Sequence, residues 1–84
     1  MTSQDIRALV LRALGDVAPE LNLDSVDPGV SLRDQYDLDS VDFLNFIVAL
    51  HTATAVEIPE SDYPQLTTLD DCVAYIGRAL AGRR

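Results

Sequence analysis

Four groups of side chains in this sequence could do chemistry: Ser40, His51, Cys72 and the carboxylates Asp34, Asp37, Asp39 and Asp42. A serine nucleophile needs a base within hydrogen-bond reach. His51 is the only histidine. If both residues share one helix, they stand about 16 Å apart along its axis at ~1.5 Å rise per residue. Triad chemistry between them is excluded within one molecule, and His51 reads as an exposed residue near a helix end. Cys72 has no histidine near it in sequence and falls on a buried-type stripe, so it reads as a core cysteine. It is also the only cysteine, which excludes an intrachain disulfide and a Cys-based zinc site. The four aspartates lack the alternating ligands and the sixth-position glycine of a calcium loop, so no metal site is expected. No residue is assigned a catalytic role.

That leaves Ser40. A serine in the first turn of a helix is ordinarily a helix-start residue. Its setting, Leu38-Asp39-Ser40-Val41-Asp42, follows a long connection and exposes the hydroxyl at the positive end of a helix dipole. First-turn N–H groups favour an attached phosphate there. The neighbouring aspartates oppose that benefit. The site therefore suits a covalently attached phosphodiester better than a free anion.

The elements around Ser40 follow from periodicity. Ile6, Leu9, Val10, Ala13, Leu14 and Val17 recur at helical spacing, with Thr2 and Asp5 as cap residues and Gly15 and Pro19 marking the far end. Residues 16–38 form a long connection, pinned by Leu21, Leu23, Val26, Val30 and Leu32, with Ser31 capping one short turn. A second main helix starts at Asp39 or Ser40 and is apolar on most faces, so it is central or turns one face to a partner. It fades at Thr52-Ala53-Thr54. Pro59 and Pro64 bracket room for one helical turn. The last helix begins after Thr68, buries Leu69, Val73, Ile76 and Leu80, and ends near Gly82. Arg78, Arg83 and Arg84 suit the negative end of its dipole. The expected fold is all-α: three main helices and one short helix in a small bundle with a long first loop, one domain over 1–84.

Charge narrows the partners. The 84 residues carry 14 acidic and 6 basic side chains, a formal charge of −8. Every basic side chain is arginine, and none lies between Arg33 and Arg78. Nucleic acid and anionic membranes are poor partners for such a surface, and basic protein surfaces are good ones. No apolar run approaches the ~20 residues of a membrane span, and the N-terminus lacks a signal pattern. A soluble, cytoplasmic protein is expected.

Asp39-Ser40-Val41 resembles the Asp-Ser-Leu motif of the acyl and peptidyl carrier proteins. The likeness extends through Asp42-Phe43-Leu44-Asn45-Phe46-Ile47-Val48-Ala49-Leu50, resumes at Glu57-Ile58-Pro59 and continues from Leu66-Thr67-Thr68-Leu69 to Tyr75-Ile76. It covers nearly the whole chain. The resemblance implies a carrier without catalytic activity of its own. Ser40 matches the serine to which a phosphopantetheinyl transferase attaches 4'-phosphopantetheine from coenzyme A. Cargo then rides as a thioester on that arm, not on Cys72. Partners implied are the transferase and acyl-loading and synthase-type enzymes with basic docking surfaces. The residues matching the docking face are Asp39, Val41, Asp42 and Val48, with Glu57, Glu60 and Asp62 at its periphery. Those expected near a cargo cavity are Phe43, Phe46, Ile47, Leu50, Ile58, Leu66 and Tyr75. A monomer is expected.

Some positions depart from the family pattern. Val41 replaces the usual leucine, and Asp37 stands near where a glycine commonly precedes the motif. Asn45 replaces a frequent glutamate, and His51-Thr52-Ala53 replaces an acidic stretch. Phe43 replaces a commonly small or polar residue and is placed to narrow the cavity mouth or stack on cargo. A recognition helix less acidic than in housekeeping carriers implies a dedicated carrier in a specialised acyl, polyketide or peptide pathway. Two alternatives stay open: a peptidyl or aryl carrier, and an unmodified acidic domain that binds a basic partner.

Overall fold

A computed structural model describes residues 2–82. Arg83 and Arg84, expected to complement the last helix dipole, lie outside the described residues. Among the described residues there are four α-helices, α1 (Ser3–Val17), α2 (Leu32–Tyr36), α3 (Ser40–Thr54) and α4 (Leu69–Ala81), and no strand. Two 3-10 segments, Leu23–Ser25 and Glu60–Gln65, complete the architecture. The three long helices match the expected ones. Two of the short elements fall where expected, α2 after Ser31 and Glu60–Gln65 after Pro59, and Leu23–Ser25 is an addition capped by Asn22.

Capping sets most boundaries. Thr2, Asp39 and Thr68 each accept a hydrogen bond from the third helical residue, whose carboxylate reaches back to the cap backbone. Ser31 caps α2 by accepting from Asp34 N–H, and Asn22 caps the Leu23–Ser25 turn by accepting from Asp24 N–H. Helices α1 and α3 end where expected, before Pro19 and at Thr54. Helix α1 runs through Gly15 and closes at Ala18. Gly15 serves packing instead, since a Cβ there would stand 3.2 Å from Leu23 Cδ1. Thr54 does not fray: it is buried, its hydroxyl donates to the Leu50 carbonyl at 2.8 Å, and it accepts from Val56 N–H at 3.2 Å.

The core is built where α1 meets α3 and α4. Val10, Ala13 and Leu14 of α1 pack with Phe46, Ile47 and Leu50 of α3 and with Leu69, Cys72 and Ile76 of α4. The long connection closes this core with Val26, Leu32 and Leu38, while Leu21 and Leu23 pack at its edge. Val30, expected as a pin, is 41% exposed. Polar bonds fix that stretch in its place. Gln35 bridges the Asp27 backbone and the Val30 carbonyl. Leu32 N–H donates to the Thr67 carbonyl at 2.8 Å, and Asp70 N–H to that of Pro28 at 3.2 Å. The connection is thus tied to the start of α4, and the turn before α3 has a fixed origin.

Candidate functional site

The turn into α3 sets the position of Ser40. Asp37 adopts a left-handed conformation, φ 53° and ψ 45°, which reverses the chain between α2 and α3. Aspartate tolerates this region better than most residues, which explains how it stands where a glycine is common. Leu38 is buried and anchors the turn. Asp39 then caps α3: its carboxylate accepts from Asp42 N–H at 2.8 Å, and Asp42 accepts from Asp39 N–H at 3.3 Å. Ser40 is the first helical residue and is exposed. Its hydroxyl makes no hydrogen bond to the described residues. Among the described residues nothing competes for that oxygen, and none stands as a base to activate it.

Ser40 borders a groove of about 440 Å³. Ser40, Phe43 and Leu44 of α3 line one side, and Glu60, Tyr63 and Pro64 the other, with Ser31, Arg33 and Thr67 completing it. Phe43 is the central ring. It meets Tyr63 edge-on at 6.0 Å between centroids and Phe46 at 6.2 Å, and the Arg33 guanidinium lies 5.5 Å from its centroid. Tyr63 also lines a second groove, with Ile47, Val48, His51, Glu57, Ile58 and Pro59.

The residues expected near a cargo cavity divide. Phe46, Leu50 and Leu66 are fully buried and Ile47 nearly so, all within the packed core. Phe43 reaches the groove beside Ser40, while Ile47 and Ile58 reach the second groove. Tyr75 stands apart, its hydroxyl donating to Asp62 at 2.7 Å. Burial and that bond push its phenol up to about 12. Sequence reasoning missed Arg33, Tyr63 and Pro64 as groove residues. The short segment between Pro59 and Pro64 was the available signal, but nothing local shows which helix it approaches.

The docking-face residues also divide. Asp39, Val41, Asp42 and Val48 lie on α3, and Val41 and Val48 are 65% and 55% exposed. Leu44, 48% exposed, joins them in a stripe that the sequence reading left out. Its spacing of three from Val41 and four from Val48 was a readable signal. Glu57 borders the second groove and Glu60 the first. Asp62 is engaged internally by Tyr75 and Gln65.

Cys72 and His51 have structural settings. Cys72 is fully buried, and burial, with Asp71 nearby, pushes its thiol up to about 12. Its Sγ lies 3.7 Å from the Leu66 carbonyl. His51 is exposed at the end of α3, with Nδ1 2.8 Å from the Val56 carbonyl, so that nitrogen carries the proton and donates. Among the described residues no cluster of His, Cys, Asp or Glu is suited to hold a metal ion.

Comparison with known proteins agrees with this geometry. Residues 4–76 match the family described as the phosphopantetheine attachment site. The acyl carrier protein of Kineococcus radiotolerans is 34% identical, covering 83% of this chain and 90% of its own. That of Chlamydia muridarum is 35% identical over 86% of this chain and 87% of its own. A candidate acyl carrier protein from Anaplasma phagocytophilum, solved in solution, superposes with a TM-score of 0.80 at 29% identity, covering 99% of this chain and 94% of its own. The family's cofactor is covalent 4'-phosphopantetheine. The residues here fit such a group, since an exposed, unbonded hydroxyl borders a part-apolar groove. On the match across its length and on its relatives, the chain belongs to the phosphopantetheine attachment-site family and, within it, to the acyl carrier proteins.

Proposed function

We propose that Ser40 is the attachment residue, and that the protein presents acyl intermediates to partner enzymes from that point without catalysing their reactions. The observation that carries this reading is the free Ser40 hydroxyl at the start of α3, beside the groove. The arm, when attached, supplies a terminal thiol that holds the acyl group as a thioester. Ser40 anchors it, and the capping box of Asp39 and Asp42 fixes the anchor on a rigid helix start. Phe43, Leu44 and Tyr63 offer apolar surface along the first groove, and Ile47 and Ile58 along the second. Phe46, Leu50 and Leu66 would meet cargo only if the core opened. The unused thiol of Cys72 does not compete for cargo, because burial keeps it protonated.

The partner face is the exposed stripe Val41, Leu44 and Val48 flanked by Asp39 and Asp42, with Glu57, Glu60 and Asp62 beside it. Its chemistry suits a basic docking surface with an apolar centre: the transferase first, then loading and synthase-type enzymes. The pathway is a specialised one, as Asn45 and His51-Thr52-Ala53 leave this helix less acidic than housekeeping carriers. Normal turnover with the enzymes of housekeeping fatty-acid synthesis would count against that assignment. The chain acts as one carrier domain, a monomer, in the cytoplasm. Among the described residues no helix is long and apolar enough to cross a membrane.

Intact-protein mass spectrometry tests the attachment directly. After incubation with coenzyme A, magnesium and a broad-specificity transferase, the wild type gains one arm and Ser40→Ala gains none. Loading of Ser40→Ala, or no loading of the wild type by several active transferases, would refute Ser40 as the attachment residue.

A further inference from the structure

The groove beside Ser40 contains a cation for which the carrier role has so far no use. Arg33 is the only arginine or lysine between Arg12 and Arg78. It projects from α2 into the groove, where its Nε donates to the Leu38 carbonyl at 3.5 Å and its guanidinium lies over the Phe43 ring. Neither contact neutralises its charge. It forms no ion pair with the described residues, although Glu60 lines the same groove and Asp34, Asp37, Asp39 and Asp42 are near in sequence. Its Nη groups have no hydrogen-bond partner there either.

The start of α3 cannot take over this work. Of the donors a helix N-terminus leaves free, the Asp39 and Asp42 N–H groups are used by the capping box. Only the Ser40 and Val41 N–H groups lack partners among the described residues. The same box places two carboxylates beside Ser40. A phosphodiester on the Ser40 oxygen would therefore meet two negative neighbours and two free N–H groups. Among the described residues Arg33 is the one positive group lining the groove.

We propose that Arg33 binds the phosphodiester of the arm and, from its place over Phe43, directs the arm along the groove toward Tyr63 rather than into solvent. This rests on Ser40 being the attachment residue. A guanidinium stays charged at all ordinary pH values, and its planar fork matches a pair of phosphate oxygens. Two contacts already restrict its side chain, so less ordering is lost when it binds. Because Arg33 is exposed, the interaction is modest and weakens with salt.

The test uses isotope-labelled protein loaded from coenzyme A, with the added mass confirmed first. Phosphorus-31 shifts and the Arg33 Nε–H and Phe43 ring resonances are followed between ~20 and ~500 mM salt, a range over which the screening length contracts several-fold. In the wild type, loading shifts both protein signals, and high salt reverses the shifts. In Arg33→Gln the phosphorus signal stays near that of the same serine phosphodiester in the unfolded loaded protein at both salts, and the docked-to-free ratio of the arm falls about two- to fivefold. Arg33→Lys keeps the charge and retains part of the salt-dependent shift. Equal phosphorus shifts and salt responses in wild type and Arg33→Gln would overturn the proposal while leaving Ser40 intact. A wild type that does not load, or a Ser40→Ala that does, would overturn both.

Discussion

Ser40, Cys72 and Tyr36 show how differently three hydroxyl or thiol groups can be treated in one small fold. Ser40 is exposed and unbonded, and so is available for attachment. Tyr36 has a buried hydroxyl with no partner, and burial pushes its phenol up. An unpaired buried polar group costs about 1–3 kcal/mol, so Tyr36→Phe should raise stability by roughly 1 kcal/mol. Urea unfolding should show a higher midpoint at unchanged slope, and a lower midpoint would mean the hydroxyl has a stabilising role. Cys72 and Tyr75 set the response to alkali. Their protonated forms are favoured by the fold, with folded values near 12 against ordinary values of 9.0 and 10.0. That stability is complete below pH 9 and is lost as pH rises through about 12. The thermal midpoint should therefore fall steadily above pH 9, and Cys72→Ala should flatten the earliest part of the decline. At this scale the sequence was informative wherever the cause was local. Ser40 and its cap lie within four consecutive residues. The Arg33–Phe43–Tyr63 arrangement was not legible, because it forms only when the Glu60–Gln65 segment folds back onto α3.

The helices were readable because each has a side chain that starts it. Thr2, Asp39 and Thr68 are good cap residues with an aspartate three positions on, and all three boxes form. The helix ends also fell where expected, before Pro19, at Thr54 and at Gly82, but the backbone conformation that closes them was not readable. The α3 terminus closes with Ala55 in the left-handed region, φ 58° and ψ 20°, without a glycine. His51 and Thr54 compensate by bonding the backbone around the reversal. A left-handed non-glycine residue costs about 1–2 kcal/mol, and glycine returns roughly 0.5–1 kcal/mol of that as backbone entropy. Ala55→Gly should stabilise the protein by about 0.5 kcal/mol, measured by chemical denaturation. A loss of stability would show that the Ala55 methyl contributes packing that outweighs the strain. Of the short elements only Leu23–Ser25 escaped the sequence reading, because its cap, Asn22, sits in a stretch without helical periodicity.

At the scale of the whole molecule, packing and electrostatics serve one arrangement. The core between α1, α3 and α4 buries one side of α3 and leaves Val41, Leu44 and Val48 outward beside carboxylates. Polar ties between the long connection and α4 fix the turn that presents Ser40. The fold class and an exposed serine at the start of α3 were legible from 84 residues, whereas the cavity was not. Most residues expected around it became core, because fully apolar positions at helical spacing pack first against their own bundle. The most direct test of the account maps the cargo itself. The protein, loaded from an acyl-coenzyme A, is digested and fragmented by tandem mass spectrometry without reductant. The account predicts an acylated phosphopantetheine on the peptide containing Ser40 and an unmodified Cys72. Acyl groups on Cys72, or an arm on any residue other than Ser40, would contradict it.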